Sequence, residues 1–143
     1  MITESLEKDK LLKKWYDFRN ELEVIPDPIN AVTRFFLSKP RVKFYTDPYD
    51  QLTWPTPWEL ITENEYCPIN LLLGICYTLQ LTERFSHLTP EIAIAVDVSS
   101  KTVYYLLLIE DKVFGWNDDE WSSVKELPKS LKIQKIFNMA PLH

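Results

Sequence analysis

The chain has 143 residues, enough for one domain with a single hydrophobic core and too few for a second of ordinary size. Hydrophobic residues make up 45% and charged residues 26%, which excludes a disordered chain, a collagen and a coiled-coil rod. Lysine and arginine number 16 against 21 acidic residues, a formal net charge of −5 that on average repels a phosphate backbone.

From Thr3 and Glu4, Leu11, Trp15, Phe18 and Leu22 recur on one stripe, predicting an amphipathic helix to about Glu23 with a Lys-rich solvated face. In Pro26-Asp27-Pro28 the aspartate stands as N-cap and Pro28 as first residue of a second helix, which reaches Leu37 and stops at Ser38-Lys39-Pro40. Residues 1–40 are thus an N-terminal helical part. A short strand is expected over 41–45, then an irregular connection over 46–55. Thr56-Pro57-Trp58-Glu59 has the pattern of a capping box, opening a short helix to about Asn64.

Cys67-Pro68 begins the next helix, with the cysteine at N-cap. Ile69, Leu71, Leu72, Leu73, Ile75, Cys76, Leu79 and Leu81 cover nearly every face, which marks a buried helix, ending around Thr82 to Ser86. The period then changes to two. Ile92, Ile94 and Val96, the stretch 102–109, the stretch 112–116 and Leu131 to Phe137 read as strands, with turns at Ser99-Ser100, Glu110-Asp111 and Asn117 to Glu120. The expected fold class is α+β: helices and a buried central helix, packed on a C-terminal antiparallel meander of about four or five strands in a single domain spanning 1–143.

Several chemistries are excluded by composition. With only two glycines against ten prolines, no Gly-rich phosphate loop is possible, which removes P-loop and dinucleotide readings. Cys67 and Cys76 lie about 13 Å apart along one helix, beyond the roughly 7 Å reach of a disulfide. Two thiols, His87 and His143 give no zinc-ligand spacing, and Asn117-Asp118-Asp119-Glu120 lacks the pattern of a calcium loop. No cofactor is expected. Asp47, Asp50 and Glu59 have no spacing that sets two of them across a cleft as a carboxylate pair. The basic pieces at Lys8 to Lys14 and Lys39 to Lys43 read as solvated faces, so nucleic acid is not an expected partner. No apolar run reaches the roughly 18 residues of a spanning helix, and the N-terminus has no conventional export signal, so no membrane is expected either.

Two features remain. Cys67 stands at a helix N-terminus, where the dipole favours a thiolate and a nucleophile would be placed. Tyr45, Tyr49, Trp54 and Trp58 cluster with Pro48, Pro55 and Pro57 in a stiff connection, where rigid amphipathic side chains serve as protein-interface anchors.

Pro57-Trp58-Glu59-Leu60-Ile61, Tyr66-Cys67, Leu73-Gly74 and the stretch from Tyr104 to Trp116-Asn117-Asp118 resemble the transglutaminase-like, papain-related cysteine fold over residues 56–121. The resemblance implies Cys67 as nucleophile and Asn117 or Asp118 as orienting group. The position it assigns to the catalytic histidine falls at Tyr104 or its neighbours Val103 and Tyr105. A tyrosine, with a pKa near 10, is a poor proton acceptor at neutral pH. His87 lies beyond the far end of the helix that Cys67 begins, about 22 Å away, and reads as a loop residue. The expectation is a pseudoenzyme.

Asp47-Pro48-Tyr49-Asp50, Trp54 to Leu60 and Tyr66-Cys67-Pro68 are also similar to small proteins of tailed bacteriophages, especially those infecting cyanobacteria. That resemblance implies a structural or assembly component partnered by other virion subunits, in the virion or the host cytoplasm. A cysteine hydrolase or acyltransferase drawing its base from elsewhere is one alternative. An acidic inhibitor or adaptor is the other.

Overall fold

A computed structural model of the chain describes residues 2–43 and 46–142. They form two compact units, Met1–His87 and Leu88–Pro141. The expected fold class is found: four α-helices precede a five-stranded antiparallel sheet.

In the first unit, α1 (Ile2–Leu22) turns Trp15 and Leu22 into the core and leaves Leu11 and Phe18 half-buried. Phe18 stacks on Phe35 at 4.2 Å. In α2 (Pro28–Leu37) the Asp27 side chain accepts from the Asn30 N–H, as its N-cap position requires, while Pro28 needs no partner for a donor it lacks. The expected strand over 41–45 is instead an isolated parallel bridge of Arg41 to Tyr66, and Tyr45 lies outside the described residues. The Tyr66 N–H donates to the Pro40 carbonyl and the Val42 N–H to that of Tyr66. Pairing stops there because Pro68 has no N–H and its φ already belongs to the next helix.

Beyond α2, Asp47 and Asp50 accept from the N–H groups of Tyr49 and Leu52, winding the connection into a single 3₁₀ turn at Gln51–Thr53. Both bonds of the expected capping box form at α3 (Pro57–Glu63): Thr56 accepts from the Glu59 N–H at 3.3 Å and Glu59 from the Thr56 N–H at 2.9 Å.

Residues Ile69 to Gln80 of α4 (Pro68–Gln80) are all buried. The Trp15 indole N–H donates to the Thr78 hydroxyl at 2.9 Å, and the Tyr77 hydroxyl to the Pro55 carbonyl at 2.9 Å. Gly74 lies against the Phe36 ring. The helix ends before the expected Thr82 to Ser86, and the reason is a side chain from α1's end. Glu23 accepts from the N–H groups of Glu83 and Arg84, while the Arg84 guanidinium donates to the carbonyls of Leu22 and Ile25. These bonds hold 81–87 as turns.

In the second unit the strands are β1 (Glu91–Asp97), β2 (Val103–Ile109), β3 (Lys112–Phe114), β4 (Trp121–Ser123) and β5 (Leu131–Asn138), in spatial order β4-β3-β2-β1-β5. The expected meander therefore holds only through β4, a strand that sequence reading passed over. β5 crosses back to pair with β1, with a bulge between Ile94 and Ala95. On one sheet face Ala93, Ala95, Leu106 and Val113 form a buried cluster under Tyr104, Leu108, Trp116, Val124, Leu127 and Leu131. Alanines are what this face admits in β1, because the segment after β3 lays larger side chains across it. The other face carries Ile92, Ile94, Leu107, Ile109 and Phe114, all buried.

Candidate active site

The backbone of Cys67 is extended, φ −75° and ψ 168°, and its carbonyl accepts from the Leu71 N–H as the first bond of α4. Its side chain makes no cap bond to the first N–H groups of α4, and its exposure is 0%. The neighbouring Tyr66 ring meets Phe36 at 5.5 Å. Cys76 is buried in mid-helix as expected, its thiol donating to Gln80 Oε1 at 3.5 Å, and burial pushes that thiol far above the ordinary range. Both cysteines are free.

The other positions implied by the resemblance belong to the second unit. Tyr104 pairs with Ala95 and lies half-buried on the Ala93–Ala95 face, within that unit's own cluster. Val103 and Tyr105 take the opposite face by strand alternation. Asn117 and Asp118 are exposed in the turn after Trp116, where the Asn117 carbonyl accepts from the Glu120 N–H and Asp118 adopts φ 51°. His87 is exposed in the turn that closes the first unit. The 13 residues of α4 put about 20 Å between Cys67 and that turn. His143 lies outside the described residues.

The segment of aromatic residues divides. Tyr49 and Trp58 are about half exposed, the latter edge-on to Trp15 at 6.1 Å. Trp54 turns inward, its indole N–H donating to the Asp47 carbonyl at 2.8 Å, and so holds the connection together. Leu52, which sequence reading passed over, is 96% exposed beside them. Asp47 and Glu59 line one cavity of about 520 Å³ together with Glu63, while Asp50 does not. The bonds from Thr56 hold the Glu59 carboxyl below the usual range. Among the described residues no three His, Cys, Asp or Glu side chains group as metal ligands.

No protein-family description matches the chain, and no curated protein does. Solved structures do. Calcium-bound LapG of Legionella pneumophila superposes with a TM-score of 0.69 at 16% identity, over 92% of this chain and 76% of that one. The EGTA-treated form of LapG gives 0.69 at 17%, over 94% and 79%. This chain has the transglutaminase-like fold. A third LapG structure agrees, with a TM-score of 0.61 at 15% identity over 94% of this chain and 81% of that one. The fold expected from residues 56–121 thus extends over nearly the whole chain.

Proposed function

We propose that the chain is a non-catalytic form of the transglutaminase-like fold that works as a structural or assembly protein. The observation that carries this reading is the environment of Cys67: the side chain is fully buried, and His87, the one histidine among the described residues, lies in the turn beyond the far end of α4. A thiol becomes an effective acyl acceptor when a base or cation beside it maintains the thiolate and the electrophile can reach sulfur. Burial of the Cys67 side chain opposes the second condition, and His87, about 20 Å away beyond the other end of α4, does not supply the first. The exposed side chains of Tyr49, Leu52 and Trp58, on a connection stiffened by prolines and by the Tyr77–Pro55 bond, support contact with other protein subunits. A tailed-phage virion is the setting implied by the likeness of 47–68 to phage proteins.

The test is the alkylation rate of Cys67 by iodoacetamide at neutral pH in a Cys76→Ala chain, native against unfolded. The expected result is a native rate lower by at least about 100-fold, set by opening of the structure. A native rate above the unfolded one overturns the reading. That outcome favours the second reading, a hydrolase or acyltransferase at Cys67, for which the place of the thiol at the start of α4 and the LapG-like fold speak. It requires a turnover that Cys67→Ala abolishes.

A further inference from the structure

The two edges of the sheet differ. β4 is 3 residues long and passes at once into a 3₁₀ turn, whereas β5 is 8 residues long and among the described residues faces no strand on its outer side. Residues 132–136 are all exposed, Ile133 at 45% and Ile136 at 46%. Edge strands of soluble proteins usually avoid exposed isoleucines, because an open row of N–H and C=O groups beside apolar side chains invites another strand.

The bulge sorts these side chains. Ile133 and Ile136, three positions apart, would alternate in a regular strand, but the register sets them opposite Ala95 and Ala93 on the same face. Lys132 and Lys135 fall opposite Val96 and Ile94 on the other face. One side of the edge is therefore apolar and the other cationic. Residues 127–143 contain Lys129, Lys132 and Lys135 and no acid, in a protein of net charge −5. A second copy pairing antiparallel through β5 would bring these lysines against their own counterparts, which is repulsive.

We propose that the β5 edge receives an extended segment of a partner protein as a sixth strand, with Asp or Glu at the alternate positions facing Lys132 and Lys135 and apolar residues at those facing Ile133 and Ile136. Main-chain hydrogen bonds supply the affinity of such strand addition and the alternating side chains its selectivity. The surface belongs to the second unit and stands whether or not Cys67 turns over a substrate.

The test uses the full chain and a fluorescein-labelled peptide as long as β5, alternating valine and glutamate, followed by anisotropy at low salt. Saturable binding is expected, weakened at least about tenfold by Lys132→Glu and by moderate salt, and abolished when alternate peptide nitrogens are methylated. Amide NMR signals of residues 132–136 should move on titration. Changes made on the peptide keep the test valid if the variant chain fails to fold. Absence of saturation by about 1 mM overturns the proposal. So do equal binding of a valine–lysine peptide and shifts confined to other residues. Self-association of the chain that moves the amide signals of residues 132–136 and excludes the peptide assigns the edge to a second copy and overturns it as well.

Discussion

Gly74 of α4 and the Phe36 ring of α2 meet so closely that a Cβ on Gly74 would lie 2.6 Å from the Phe36 Cε1 atom. The glycine is there for space, since its backbone is helical, and it lets two helices of the first unit approach at a fully buried aromatic ring. Glycine costs about 1 kcal/mol against alanine in a helix interior, so an opposing requirement must hold it there.

Gly74→Ala should destabilise the protein by about 1–3 kcal/mol through overpacking, measured by urea denaturation. In a Phe36→Leu background the same substitution should become neutral or stabilising, because the clash is gone while the gain in helix propensity remains. An equal penalty in both backgrounds would mean that something other than the ring opposes the methyl group.

Gly115 stands in a different position. Its φ is 119°, a region closed to side chains, and a Cβ there would run into the Tyr105 carbonyl of β2. Gly115→Ala combines backbone strain with a clash against main chain that cannot rotate away, and should cost upward of about 3 kcal/mol. Urea denaturation reads this directly, and a loss below about 1 kcal/mol would contradict the geometry.

Stability should fall with rising pH above about 8.5, the unfolded thiol value. Burial pushes the Cys76 thiol up, and burial together with Cys76 and Glu59 pushes Tyr77 up to about 12. The native state therefore keeps protons that the unfolded chain releases, so the contribution of these groups is complete below their unfolded pKa values and declines as pH climbs toward the folded ones. The slope for one such group is at most about 1.4 kcal/mol per pH unit. Cys76→Ala should flatten the decline between about pH 8.5 and 10, seen in urea midpoints; an unchanged slope would exclude Cys76 as its source.

The helix starts were legible because each carries its own punctuation: Asp27-Pro28, Thr56-Pro57 and Cys67-Pro68 are cap and first-turn pairs whose effect is local. β4 was not, because Trp121-Ser122-Ser123 is too short and polar for alternation to appear. The return of β5 to β1 is a long-range pairing that neither segment encodes alone, and the bulge that follows from it decides the faces of Ile133 and Lys135. The candidate site was partly legible in the same sense. The position of Cys67 at the start of α4 follows from its neighbours, whereas its burial depends on the packing of the whole unit, and the inward turn of Trp54 on the Asp47 carbonyl seven residues before it.

Each of the last three helices opens on a proline. Such a helix cannot lengthen backward by a turn without placing that ring in its interior. A residue gained or lost in a preceding connection must then be absorbed by the connection itself, and the helix keeps its rotation about its own axis. Insertions between α2 and α3, or between α3 and α4, are thereby tolerated without turning Gly74 away from Phe36 or moving Cys67 from its place at the head of α4. The prolines act as phase marks that let loop lengths drift while the buried faces stay in step.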